Sequence, residues 1–292
     1  MNSSLPQKHK NKVIFTWLVF FFSLSVLPYL ASADTKVQVK QGGIARMILK
    51  PGGPISSISG RFKDKKVPYF ETGKGVYVAL VGIDMDQSLG TLPFVSTWQS
   101  AGKTFTQKNI IEVQAAEFGL QELTLPKKKV DLDPPTLKRV RGEKSLMKTA
   151  FAESHPERLW KGTFIAPVEG RRQGTFGRRR LINGKPRRSH TGEDISAPTG
   201  TPIRAPNAGK VVLVGHFFFN GRSVVIDHGL GLMSMYFHLS AVDVKQGVLV
   251  EIGEQIGLVG KSGRVTGPHL HWGMRLNDAK VDPYAFVDVQ LD

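Results

Sequence analysis

Residues Gly267–Met274 read GPHLHWGM, with two histidines two positions apart inside a short apolar run. On a strand, side chains at i and i+2 point to the same face, so His269 and His271 enter one pocket while Leu270 packs on the opposite side. The neighbouring runs support the strand reading. FIAPV, KVVLVG, SVVIDHG, LMSMYFHL and VLVEIGEQIGLVG are all β-rich, glycine-bearing turns separate them, and no helix-sized amphipathic segment interrupts the region. Residues 161–292 are therefore expected to form a compact antiparallel β-sheet domain, not alternating strand–helix units.

Upstream the pattern is also β-rich. TKVQVKQG, ARMILK, GVYVALVGI and FTQKNIIEVQ are separated by turn formers such as PGGP at Pro51–Pro54 and DMDQSLG at Asp84–Gly90. This punctuation predicts a small antiparallel β-sandwich-like module over 34–130. It has no His/Asp/Glu cluster and reads as an accessory or regulatory module. The stretch from Pro134 to Trp160 is rich in helix formers and charge after a double proline, which predicts a helical connector within 131–160, although Gly142 opposes it. The fold class expected is all-β, with this connector between the two β modules.

Residues 1–33 have a polar, basic opening, the apolar run VIFTWLVFFFSLSVLPYL, and ASA before Asp34. That is the layout of a secretory signal peptide. An uncleaved signal anchor is the alternative, and it would supply the chain's membrane contact. The expected location is periplasmic or extracellular, associated with the envelope.

Among the 292 residues there is no cysteine, and the formal net charge is +16. Disulfides are excluded, and a tightly held metal must sit on His, Asp or Glu. The charge favours a polyanionic neighbour. Export, the absence of cysteine fingers and the lack of aromatic interleaving argue against nucleic acid and leave an anionic wall polymer or lipid head groups.

A His-x-His pair alone does not decide between a site and an ordinary polar strand face. SHTGEDISAPTGTP adds His190 and Asp194, bracketing a glycine-containing turn that aims both inward. Zinc accepts imidazole nitrogen and carboxylate oxygen, and its catalytic sites have three protein ligands and an open position. His190, Asp194 and one histidine of the later pair supply such a set, leaving the other histidine for proton transfer. His238, beside Tyr236 in MSMYFHLS, places another imidazole at a strand end. Six of the eight histidines follow Trp160. Of these, His216 reads as a loop residue and His228 as a turn residue, both bystanders. No HExxH motif is present, so a histidine must act as the base.

Over roughly Phe164–Val287 the chain resembles the lysostaphin-like zinc endopeptidases that cut peptidoglycan peptides. FGRRR followed by HTGEDISAPTGTPIRAPNAGKVVLVG resembles the first family segment, Gly229 with YFHL the middle one, and GKSGRVTGPHLHWGM the last. The resemblance implies that His190, Asp194 and His271 are the ligands of one zinc ion and that His238 and His269 are the catalytic pair. Glu193 replaces a small aliphatic residue of the family and is expected to face solvent. The implied substrate is peptidoglycan stem peptides or cross-links, with an envelope regulator or the first module controlling access to the groove. A non-catalytic peptidoglycan-binding or amidase-regulating module predicts missing ligands, whereas all five positions are filled here. APNAGKVV also resembles a lipoyl or biotinyl hairpin, but Lys210 is not at the central position such a modification uses. A closed structural metal site would need four protein ligands, which the surplus histidines permit.

Overall fold

A computed structural model of the chain describes Met1 and residues 36–288. The leader read at 1–33 lies, beyond Met1, outside the described residues. From Lys36 onward the described residues belong to one compact unit, built mostly of strands with one α-helix. Among the described residues no helix is long and apolar enough to cross a membrane.

The C-terminal half centres on an eight-stranded sheet. Its path runs Arg171–Arg172, Glu193–Ser196, Leu270–Leu276, Leu232–Leu239, Gly221–Gly229, Gly209–Phe217 and Leu249–Val250, with Ala279–Val281 paired to Leu270–Leu276 off that path. Every pairing is antiparallel. LMSMYFHL is buried along its whole length, as a near-continuous apolar run requires when both faces of a strand are covered. One face packs Ile195, Leu270, Trp272, Tyr236 and Met274 into the main core. Burial of each large aliphatic side chain there contributes about 1.5–3 kcal/mol. Glu193 was expected to face solvent. It lies instead on this inner side, fully buried, and its carboxylate accepts the backbone N–H groups of Gln173 (3.0 Å), Thr175 (3.0 Å) and Phe176 (3.3 Å).

The upstream strands form a five-stranded sheet (Lys36–Lys40, Lys103–Gln114, Gly90–Ser100, Ser57–Phe62, Lys65–Val67) and a three-stranded sheet (Ile44–Leu49, Val76–Gly82, Tyr69–Gly73). They enclose a core of their own that includes Met47, Val81, Phe94 and Ile111. Lys36–Lys40 runs parallel to Lys103–Gln114, a departure from the expected all-antiparallel pattern that the long intervening chain makes possible. This half is not insulated from the next. Phe70, Val78 and Leu80 join the main core, and Phe70 meets Trp160 edge to face at 5.7 Å. Strand Leu120–Leu123 pairs parallel with Arg179–Ile182.

Helix Pro134–Ala152 starts where Asp133 caps Thr136 N–H at 2.8 Å, with proline at its first turn. It continues through Gly142, whose cost of about 1 kcal/mol is offset by the cap and by Met147, Ala150 and Phe151, which pack on the Leu213–Phe217–Met235 cluster. Asp227 then holds the connector, accepting from Ser154 Oγ (2.7 Å) and His155 N–H (2.6 Å). Gly229, at φ +88°, lies so close to the Glu157 carbonyl that a Cβ would collide with it.

The two histidines read as bystanders are strand residues. His216 sits exposed in Gly209–Phe217. His228 is not in a turn: it lies in Gly221–Gly229 and is fully buried, with Nδ1 2.7 Å from the Ala208 carbonyl and Nε2 2.7 Å from Ser234 Oγ. Burial pushes its pKa down to about 4, against the pull of the Ala208 carbonyl and Asp227. Because the folded value lies below the unfolded value of about 6.5, the unfolded chain binds the extra proton between them. Stability is therefore complete above about pH 6.5 and is lost as pH falls toward 4, by about 3 kcal/mol. Urea unfolding of the wild type between about pH 7 and 4 should show that loss in excess of the loss shown by His228→Gln. Equal pH slopes would contradict it.

Candidate metal centre and catalytic cleft

Three adjacent strands bring the site together. Asp194 is paired with His271, and His271 with Phe237, in consecutive antiparallel registers. All three side chains therefore stand on one face, opposite the main core. The Phe237 ring stacks flat on His271 at 5.3 Å and fixes its plane. His190 arrives from the loop before Glu193–Ser196. That loop is tied back by the Gly177 N–H on the His190 carbonyl (2.9 Å) and the His190 N–H on the Arg178 carbonyl (2.9 Å). Thr175 Oγ1 accepts the Asp194 N–H at 2.8 Å, and Glu193 clips the 173–176 segment from behind.

His190 Nε2 lies 2.7 Å from His271 Nδ1 and 3.1 Å from Asp194 Oδ1. His271 Nδ1 lies 3.0 Å from the same oxygen. Three donor atoms thus form a small triangle with edges of 2.7–3.1 Å, a few tenths of an ångström tighter than the roughly 3.3–3.6 Å that separates tetrahedral ligands about 2.0–2.2 Å from a zinc ion. His190, Asp194 and His271 are all buried, and among the described residues they are the group of three able to hold a metal. The other nitrogen of His190, Nδ1, is buried with no hydrogen-bond partner, so the ring has turned Nε2 toward the triangle. Burial pushes His190 down to about 4, with the His271 and Arg180 charges adding to the effect against Asp194. Burial would raise the Asp194 pKa, but the hydrogen bonds from His190 and His271 outweigh it and hold the carboxylate well below its usual range. Two imidazole nitrogens beside an ionised carboxylate are the donor set that zinc takes, binding each ring in its neutral form.

His238 and His269 flank this triangle without joining it. Their rings are 4.9 Å apart, and His269 Nε2 is 3.7 Å from Asp194 Oδ1. His238 Nδ1 lies 2.9 Å from the Ser262 carbonyl and His269 Nδ1 lies 3.0 Å from the Gly267 carbonyl. A carbonyl only accepts, so each Nδ1 carries the hydrogen, and in the neutral form of either ring the lone pair is on Nε2. His238 has φ +72°, and the ladder shifts register beside it, between Arg222 and Val224. Such a backbone costs about 1–3 kcal/mol in a non-glycine residue. It is held by the His238 N–H on the Asn220 carbonyl at 2.8 Å, and the irregularity re-aims the ring into the cleft. Burial, then His271 and His269, push His238 down to about 3.

All five residues picked out in the sequence line one cavity of about 270 Å³. Gln121, Leu123 and Leu125 also line it, and Lys129 Nζ donates to the Gly263 carbonyl at 2.6 Å. Gly192 was missed, although the HTGED spacing held the signal. A Cβ there would come within 2.5 Å of the Trp272 carbonyl and 2.7 Å of His271 Nε2. Gly192→Ala should therefore tilt His271 off the triangle and weaken zinc retention at least about tenfold, the scale of lost orienting contacts. Competition against a fluorescent zinc chelator measures this, and unchanged affinity would contradict it.

The sequence profile of peptidase family M23 matches residues 188–283. The DD-carboxypeptidase/endopeptidase Mpg of Neisseria meningitidis serogroup B is 47% identical over 96 residues, 33% of this chain and 22% of that protein. The peptidoglycan DD-endopeptidase ShyA of Vibrio cholerae is 47% identical over 83 residues, 28% of this chain and 19% of that protein. The chain thus spans only about a fifth of the length of either relative. A crystal structure described as that of an M23 peptidase from Pseudomonas aeruginosa superposes with a TM-score of 0.66 at 32% identity, covering 85% of this chain and 94% of that one.

Proposed function

The chain belongs to peptidase family M23, and from that premise we propose that it is a zinc-dependent endopeptidase that hydrolyses peptide cross-links of peptidoglycan. The observation that carries this reading is the triangle of His190 Nε2, Asp194 Oδ1 and His271 Nδ1, with edges of 2.7–3.1 Å, beside two histidines outside it. A zinc ion held by these three residues would supply Lewis acidity, polarising the scissile carbonyl and making water a nucleophile near neutral pH.

The remaining work falls to the chain's own side chains. His269 is the more exposed of the flanking pair, so its Nε2 takes the proton of the attacking water. The resulting imidazolium keeps Nδ1–H on the Gly267 carbonyl and returns the other proton to the leaving amine. Burial disfavours a charged His238. Its Nε2 lone pair orients the water, while Ser262 and the strained backbone fix the ring. Water adds across the peptide bond, leaving a carboxylic acid and an amine.

Export through residues 1–33 and a periplasmic or extracellular location are part of the same proposal, supported by the leader pattern and by relatives named as peptidoglycan endopeptidases. The net charge of +16 suits an anionic wall. The division into modules 34–130, 131–160 and 161–292 is retained as a functional one. The first module narrows the cleft with Gln121, Leu123 and Leu125, and an envelope regulator would act by moving that segment.

Digestion of purified sacculi by the exported chain, followed by mass analysis of the fragments, tests the reading. Cross-linked fragments should give way to single-stem fragments, and chelator should prevent this. Persistence of every cross-link, or release of glycan fragments with the peptides intact, would overturn it.

A further inference from the structure

The catalytic cavity adjoins a second one of about 960 Å³, with Arg180, Phe219 and Arg264 in the wall common to both. Helix Pro134–Ala152 closes the far side of the second cavity with Met147 and Phe151. At the junction the charge is one-sided. The Arg264 guanidinium lies 4.1 Å from the centre of the Phe219 ring, and burial, then the charges of Arg180 and Arg187, hold its pKa below the usual value. Among the described residues the guanidinium makes one hydrogen bond, to the Lys129 carbonyl, and at 3.5 Å it is long.

Among the described residues, Arg264 and Arg187 have no carboxylate within 4.0 Å. Arg180 has only Asp194 Oδ2, at 3.9 Å, and that carboxylate is committed to the metal triangle. The acids of the second cavity are already taken. Glu143 accepts from Arg139 Nε (2.7 Å) and Phe218 N–H (2.9 Å), and Asp86 pairs with Lys280 at 3.1 Å. Arginine does not shed its charge. Arg180 Nε already donates to Gln121 Oε1 at 2.8 Å, so its terminal nitrogens and the Arg264 guanidinium, partly desolvated and with Asp194 as their one carboxylate contact among the described residues, form a place where an anion is stabilised by both the field and the geometry of the donors.

We propose that Arg180 and Arg264 form a carboxylate subsite of the catalytic cleft, in which a free carboxylate of the peptide substrate docks between the two guanidiniums while Phe219 holds Arg264 in place. The enzyme then selects peptides carrying a free carboxylate close to the scissile bond, and the subsite is a determinant of specificity separate from the five histidine and aspartate positions. This inference rests on the peptidase reading above.

Cross-linked muropeptide dimers, with their free carboxylates intact or converted to carboxamides, are the probes. For the zinc-loaded full chain, amidation should raise KM about tenfold or more while leaving kcat nearly unchanged, as expected for one charge-assisted contact. Arg264→Gln should show the raised KM on the carboxylate form, no further change on the amidated form, and one zinc per chain. Arg264→Lys, which keeps the charge but loses the fork, should fall between them, and it serves if Arg264→Gln does not fold. Equal KM for the two probes in the wild type, or unchanged discrimination in Arg264→Gln, would overturn the subsite. If neither probe is cut, the hydrolase reading fails, and calorimetric titration of both probes into the zinc-loaded chain still decides the subsite: a tenfold preference for the carboxylate form supports it and equal affinities refute it.

Discussion

Asp194→Ala, dialysed to equilibrium against buffered zinc, is expected to retain far less than one zinc per chain and to lose hydrolysis in proportion. Asp194 Oδ1 is the shared vertex of the triangle, 3.1 Å from His190 Nε2 and 3.0 Å from His271 Nδ1. It is also the one charged donor, held ionised by those two imidazoles against the cost of its burial. Its loss leaves two imidazole nitrogens 2.7 Å apart with no negative charge to offset a divalent cation. Loss of a contact that merely orients a metal ligand costs about 10–100-fold in affinity, so loss of the charged ligand itself should exceed about a hundredfold. The fold should persist, because the bond from Asp194 N–H to Thr175 Oγ1 and the pairing of Glu193–Ser196 with Leu270–Leu276 use the main chain. Asp194→Asn keeps the shape and removes the charge, and should lie between the two. Near-stoichiometric zinc in the alanine variant would contradict the assignment.

His269→Ala and His238→Ala should do the opposite with respect to metal. Zinc should stay near one per chain, while kcat falls about 10²–10⁴-fold, the range ascribed to a positioned acid–base group. Neither ring belongs to the triangle, and each is held through Nδ1 by a loop carbonyl, Ser262 or Gly267. Their contribution therefore comes from the Nε2 atoms facing the cleft. The two losses should not add in the double variant, because both residues act on the same water. Full turnover with both replaced would end this assignment.

The stretches that named the site were those in which local pattern and tertiary environment agree. His-x-His alternates because Leu270 has a core to enter, and LMSMYFHL is apolar except for Ser234 and His238 because both its faces are covered. Other features depend on partners that no local pattern displays. Period-two alternation sends Glu193 to the face opposite Asp194, but whether that face meets water or core depends on the 173–176 backbone, whose N–H groups make burial tolerable. His228 looked like a turn residue in DHGLG, and its burial depends on the Ala208 carbonyl and Ser234 hydroxyl from neighbouring strands. The parallel docking of Leu120–Leu123 on Arg179–Ile182 joins segments far apart in the chain, and no local pattern shows that Leu123 and Leu125 are the residues of the first module that reach the cleft. The arginine junction was spread over GRRR, PRR and KSGR, three separate basic patches until the loops converge.

The central claim is that peptide hydrolysis depends on one zinc ion held by His190, Asp194 and His271. Titration of zinc into the chelator-stripped chain, with cleavage of cross-linked muropeptides followed at each addition, tests it most directly. The account predicts no cleavage without metal, a linear rise, and a break at one zinc per chain. Full cleavage by the metal-free protein, or a break at a different stoichiometry, would contradict it.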